Sequence, residues 1–167
     1  MSVASLSRVS VAAALALGLA LGACARNNAD DAAALNGGYG PGSGPGSIQE
    51  FTASVGDRVF FDTDSTELSQ TAQATLDKQA AWLNQYNRYS FTIEGHADER
   101  GTREYNFALG ARRAEAAKDY LIAKGVSGSR IKTISFGKER PVAVCNDISC
   151  WSQNRRAVTV LAGAAGS

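Results

Sequence analysis

The segment GHADERGTREYN, from Gly95 to Asn106, carries three acids, two arginines and the only histidine of the chain within twelve residues. Four kinds of chemistry use such a set: a metal site, an acid/base pair, a ligand clamp, or a solvated loop with no ligand. A metal site is poorly served. His96 and Asp98 give only H-x-D, a protein zinc site takes three or four ligands, and no second histidine exists. Glu94 with Asp98 or Glu99 would be the carboxylate pair of a hydrolase. The sequence shows neither a distinct nucleophile nor a glycine-rich phosphate loop to go with it. His96 reads as a strand-end residue that hydrogen-bonds the following turn. No metal, cofactor or catalytic residue is expected.

The arginines that follow are more telling. At 100° per residue, Tyr105, Leu109, Ala116, Ala117, Tyr120 and Leu121 share one arc of a helix. Arg113 falls inside that arc. Arg112 falls outside it, near Glu115 and Asp119, as a solvated charge with helical neighbours. A guanidinium on a packed face needs an anion or other acceptors, because burying it alone is costly. Asp98, in the loop entering the helix, and Asp64, just after the first strand, are the local candidates. Two readings stay open. Arg113 and Asp98 form a buried bridge, or Arg113 takes a ligand carboxylate while Asp98 takes a ligand ammonium. In the second, backbone N–H groups at the helix start add to anion binding.

The elements that must position these residues can be read around them. DRVFFD (57–62) is a short apolar strand. Ser69 is a plausible N-cap, and Ala72, Leu76, Ala80 and Leu83 line one face of the helix after it. SFTIEGH (90–96) is a strand rich in β-branched and aromatic residues. A helix spans about 102–124 and stops at Gly125, a residue suited to the left-handed cap. RIKTISFG (130–137) and RRAVTVLA (155–162) are strands, with a loop carrying Cys145 and Cys150 before the last. The order βαβαββ predicts an α+β domain: one mixed four-stranded sheet with helices packed on one face.

The N-terminal part has a different character. MSVASLSR is followed by VSVAAALALGLALGA, an uncharged run with the form of a secretory h-region and too short to span a bilayer comfortably. It ends in LGAC, which resembles a bacterial lipobox. That resemblance implies cleavage before Cys24, a thioether-linked diacylglycerol and acylation of the new amine. At roughly 0.8 kcal/mol per buried CH₂, three acyl chains anchor where one would not. By resemblance to lipoprotein sorting in enterobacteria, Ala25 at the second mature position, rather than an aspartate, implies export to the outer membrane.

Residues 1–23 are thus expected as a signal peptide and 24–47 as the lipidated N-terminus and linker. Residues 48–167 form the domain. The stretch 25–47 lacks large apolar side chains and cannot build a core. As a flexible chain it spans about 25–30 Å. In an oxidising compartment Cys145 and Cys150 are expected to form a disulfide, since Cys24 is taken by lipid. A net charge of +1, with no lysine-rich run, gives no footprint for nucleic acid.

GHADERGTREYNFALGARRA closely resembles the peptidoglycan-associated lipoproteins and the wider OmpA-like domain, with Asp98, Asn106, Leu109, Arg113 and Ala114 in matching places. FDTDSTEL, GKERP and NRRAV match further segments. The resemblance implies a periplasmic domain that binds peptidoglycan at the meso-diaminopimelate of its stem peptide. Asp98 would meet the ammonium and Arg113 the carboxylate, a polar clamp with fixed geometry. Asp64, Arg100, Thr102 and Leu109 would line the site, and Asn106 would tie loop to helix. It also implies partnership with TolB and the Tol system, and a lipid-anchored outer-membrane tether acting in envelope integrity and division. The other reading on the same fold is a peptidoglycan-binding lipoprotein without Tol partners. Arg103 departs from the family by standing where proline is frequent, and the cysteine loop is not a general mark of the domain.

Overall fold

The computed structural model describes residues 44–162. The segments expected as signal peptide and lipidated Cys24, and nearly all of the expected linker, lie outside the described residues. The chain enters through helix α1 (Ile48–Glu50), which continues as a π-helical turn over Phe51–Gly56. Strand β1 (Arg58–Phe60), helix α2 (Gln70–Gln85), strand β2 (Phe91–His96), helix α3 (Arg103–Ala123), strand β3 (Ile131–Gly137), helix α4 (Ile148–Asn154) and strand β4 (Arg156–Leu161) follow. The βαβαββ reading therefore stands, and the segment before the last strand is not only loop. It contains α4, a seven-residue helix with Asp147 as its N-cap. Periodicity carries little weight over so short a span, so the sequence pattern alone does not mark it.

The sheet order is β1-β4-β2-β3, with β4 antiparallel to both of its neighbours and β2 parallel to β3. Both strand–helix–strand units are crossovers, and the last strand fills the gap that the first crossover leaves between β1 and β2. Phe91 and Ile93 of β2 point into the helical layer and meet a core that includes Leu76, Ala80 and Leu83 of α2 and Ala114, Ala117 and Leu121 of α3. Leu83, Ile93 and Leu121 are fully buried. Each such side chain contributes roughly 1.5–3 kcal/mol of hydrophobic stabilisation.

Local signals set the helix ends. The Ser69 hydroxyl accepts from the backbone N–H of Ala72. At the end of α3, Gly125 has φ +90°. Its N–H donates to Ile122 O at 2.9 Å, and Val126 N–H donates to Leu121 O at 3.0 Å. These two bonds satisfy carbonyls that the last helical turn leaves open.

The buried face of α3 is rotated from the expected arc. Asn106, Leu109, Gly110, Arg113, Ala114, Ala117 and Leu121 are buried, while Tyr105 is 44% exposed and Ala116 only half-buried. The cause is a close crossing of α3 over β2. A Cβ at Gly95 would lie 1.8 Å from the carbonyl oxygen of Gly110. Side-chain-free backbone at both positions lets helix and strand touch, which fixes the roll of α3 and carries Arg113 inward.

Candidate functional site

The site is a cleft of about 290 Å³ between the loop after β1 and the start of α3. Thr63, Asp64, Asp98, Arg100, Gly101, Tyr105, Asn106, Leu109 and Arg113 line it. Five of the six residues expected at a ligand thus share one cleft. Thr102 is not among its lining residues. Its hydroxyl is the N-cap of α3 and accepts from the N–H of Tyr105 at 3.2 Å. A helix start needs such an acceptor, so the hydroxyl is used in building the site.

Arg113 is fully buried on the inner face of α3. Its Nε donates to Ser65 O at 2.9 Å, Nη1 to His96 O at 2.9 Å and Nη2 to Asp62 O at 3.0 Å. The guanidinium carbon lies 5.2 Å from the ring centre of Phe61. A guanidinium has five N–H donors, so three fixed bonds leave two for another acceptor. Burial, helped by the nearby charge of Arg155, lowers the pKa of Arg113 to about 10, and it remains a cation at neutral pH.

Asp98 faces the same cleft with different partners. Oδ1 accepts from the backbone N–H and Nε of Arg100 at 3.2 and 3.1 Å. Oδ2 accepts from Nη2 of Arg100 at 2.6 Å and Nη1 of Arg155 at 3.4 Å. Burial works to raise this carboxyl, but the hydrogen bonds and charge of Arg100 prevail and hold it below the usual aspartate value. The buried bridge between Arg113 and Asp98 is therefore not what satisfies either residue. Backbone carbonyls hold the arginine, and two other arginines hold the acid.

The remaining positions fall into supporting roles. Asp64 is exposed, takes the left-handed backbone conformation at φ 56°, and accepts a hydrogen bond from the Tyr105 hydroxyl. Asn106 is buried and donates to Arg100 O at 2.7 Å, which ties the loop to the helix. Leu109 is 5% exposed and forms the apolar wall. The side chain of His96 departs from its expected hydrogen bond to the turn. Neither ring nitrogen has a hydrogen-bond partner among the described residues, and the ring stacks on Phe136 at 5.6 Å. Its backbone carbonyl, not its imidazole, serves the site by holding Arg113.

Several contributors escaped the sequence reading. Arg155, 6% exposed, bonds Asp98 and donates from Nε to Phe61 O at 3.0 Å. Thr63, Gly101 and Tyr105 line the cleft, and Trp151 of α4 lies beneath Arg100 with 4.2 Å between ring centre and guanidinium carbon. A signal for Arg155 was present: in RRAV two adjacent arginines enter a strand, so they point to opposite faces of a buried sheet. Cys145 and Cys150 are joined as a disulfide that closes onto α4. Among the described residues no three His, Cys, Asp or Glu side chains assemble as a metal site, and no helix is long and apolar enough to cross a membrane.

Residues 60–155 match the OmpA family. A peptidoglycan-associated lipoprotein of Rhizobium meliloti (strain 1021) is 64% identical over 162 residues, covering 96% of this chain and 92% of its own. One of Pseudomonas putida is 44% identical over 152 residues, covering 87% of this chain and 91% of its own. The crystal structure of the peptidoglycan-associated lipoprotein from Burkholderia pseudomallei superposes with a TM-score of 0.64 at 41% identity, covering 66% of this chain and 96% of that one. The C-terminal domain of Helicobacter pylori MotB, at 21% identity and a TM-score of 0.61 over 65% of this chain and 86% of its own, shares the fold. With the family's model matched over residues 60–155 and relatives matched along nearly its whole length, the chain belongs to the OmpA family and, within it, to the peptidoglycan-associated lipoproteins.

Proposed function

We infer that the protein is a non-covalent tether between the outer membrane and peptidoglycan, gripping the stem peptide at the free end of meso-diaminopimelate. Its family is a binding family and not an enzymatic one, and its relatives are named for their association with peptidoglycan. One observation carries the finer reading: Asp98 and Arg113 open on one cleft with opposite charge, held apart by separate partners. A ligand end bearing both an ammonium and a carboxylate matches such a cleft. Arg113 offers its two remaining N–H groups to the carboxylate, and Asp98 offers its carboxylate to the ammonium. Asp64 and Arg100 stand at the rim, and Leu109 packs against the aliphatic part.

The rest of the reading follows from the lipobox and the family. Cys24 carries the lipid, residues 25–47 reach from the outer membrane, and the domain sits in the periplasm. TolB and the other Tol proteins are the protein partners, in envelope integrity and cell division.

The test is co-sedimentation of the full chain, in non-ionic detergent, with purified murein sacculi. Asp98→Asn and Arg113→Lys are expected to lose 30-fold or more in affinity, the scale of about 2–5 kcal/mol for breaking a buried charged contact. Free meso-diaminopimelate is expected to release the wild type. Retention of both variants on murein would refute the clamp. Capture of TolB by the same chain separates a Tol-linked tether from a lipoprotein that binds peptidoglycan alone.

A further inference from the structure

The carboxylate of Asp98 has no vacancy for a ligand. A carboxylate offers about four lone-pair sites, and four hydrogen bonds already reach it. An ammonium can bond Asp98 only by displacing one of them. Arg155 is a poor candidate to leave, being buried and tied to Phe61 O. The backbone N–H of Arg100 belongs to a turn that Asn106 locks through Arg100 O. The Arg100 side chain remains, 41% exposed and joined to Asp98 by two of the four bonds.

When that guanidinium leaves Asp98 it has a second support. Its carbon lies 4.2 Å from the ring centre of Trp151. The ring is itself oriented, because its indole N–H donates to the carboxylate of Glu99, the residue before Arg100. Its helix is too short to stand alone. The Cys145–Cys150 disulfide pins it, as does Asn154, whose side chain bonds the N–H groups of Val142 and Ala143 and the carbonyl of Ala143.

We propose that Trp151 is a positioning residue of the ligand site: its ring keeps the Arg100 guanidinium in the cleft while a ligand ammonium takes that guanidinium's place on Asp98. The inference rests on the tether reading, in that an ammonium comes to Asp98. One cation replaces another, so the charge of Asp98 stays balanced. The displaced Arg100 stays beside the ligand and joins Arg113 on its carboxylate. A zwitterionic end satisfies both Asp98 and Arg100. A simple amine leaves Arg100 without an anion and binds more weakly.

The experiment is a double-mutant cycle on the full chain in detergent, read by murein co-sedimentation and competition with meso-diaminopimelate. Trp151→Ala is expected to weaken binding roughly 2- to 5-fold, the scale of an exposed cation–π contact. Trp151→Phe, which keeps a ring face under the guanidinium, should recover part of that loss. In an Arg100→Ala chain, Trp151→Ala should change nothing. A loss of equal size with and without Arg100, or no loss at all, would overturn the proposal. A second readout needs no Trp151 variant. Adding meso-diaminopimelate should change the indole emission of the wild type and leave Arg100→Ala unchanged, with core residue Trp82 as a constant background. Equal responses in the two chains would also overturn it. Failure of the tether reading has a different signature: Asp98→Asn binds murein as the wild type does, or meso-diaminopimelate releases neither.

Discussion

Asp98 and Arg113 face one cleft, and each is satisfied by a different set of partners. Asp98 is held by Arg100 and Arg155. Arg113 is held by the carbonyls of Asp62, Ser65 and His96. A direct bond between them would tie each to the other; held apart, Arg113 keeps two N–H groups open, and Asp98 can be opened by movement of the Arg100 side chain alone. The carbonyls hold a cation without neutralising it, since they bring no formal charge. The loop after β1 and the end of β2 are thereby stitched to α3 through a single side chain, so under the proposed clamp Arg113 serves both recognition and local stability.

That sharing predicts a graded response at position 113. Arg113→Ala removes three hydrogen bonds, and of the three carbonyls Asp62 O keeps the N–H of Ser65, at a cost of about 3 kcal/mol. Arg113→Lys keeps the charge but has no planar fork to span the carbonyls, and should cost less than alanine. Asp98→Asn should cost less than Arg113→Ala, because the amide oxygen still accepts from two of the four donors and the Arg100 side chain, 41% exposed, can turn to water. Urea denaturation of the four chains checks the order. If Arg113→Ala unfolds at the wild-type midpoint, the stitching role is wrong.

His96 gives the domain a pH dependence that carboxylates do not supply. Burial, with the positive charges of Arg156, Arg140 and Arg58, lowers its pKa from 6.5 to about 4. The unfolded chain takes up a proton as pH falls through 6.5, while the folded domain resists until about 4. The stability from keeping this ring neutral is complete above pH 6.5 and is lost progressively down to about pH 4, a change of roughly 3 kcal/mol. In His96→Gln this share of the slope should vanish. Urea midpoints of both chains at pH 7.0, 5.5 and 4.5 provide the check, and parallel curves would contradict it.

What the sequence made legible was mostly local. Ser69 and Gly125 act through bonds to residues a few positions away, so their roles as cap and stop could be read directly. The strands carried their own alternation, and the inward aim of Arg113 followed from helical period. Tyr105 was placed on the packed face because an ideal wheel knows nothing of the Gly95–Gly110 crossing that sets the roll of α3. RRAV marks Arg155 as buried, but its partner Asp98 is not legible, because the two meet across a separation of 57 residues. Trp151 was hidden for the same reason, since only the folded chain sets α4 against the Glu99–Arg100 turn.

The Cys145–Cys150 bridge is expected to stabilise chiefly by limiting the unfolded chain. For so short a ring the loop-entropy relation gives on the order of 2 kcal/mol. Replacing both cysteines with serine should lower the urea midpoint accordingly. It should also weaken murein binding by no more than Trp151→Ala does, since the bridge reaches the cleft only through α4. A double-serine chain that binds far more weakly than Trp151→Ala would place another function in the loop.

The crossing of α3 over β2 yields the sharpest steric prediction. A methyl at Gly95 would meet the Gly110 carbonyl oxygen at 1.8 Å and the Ala114 Cβ at 3.2 Å. Backbone cannot yield as the tip of a flexible side chain can, so α3 must move away from the strand. Overpacking of this kind costs about 3 kcal/mol or more. The shift also carries Arg113, three residues beyond Gly110, away from His96 O. Gly95→Ala should therefore lower the urea midpoint and weaken murein binding even where circular dichroism reports a folded chain. Gly128→Ala is the control, because its methyl would meet only the Ile122 side chain, at 3.2 Å. It should cost less than about 1 kcal/mol and leave binding intact. Equal midpoints for the two variants would mean that the helix–strand crossing is looser than 1.8 Å requires, and that the roll of α3 is set elsewhere.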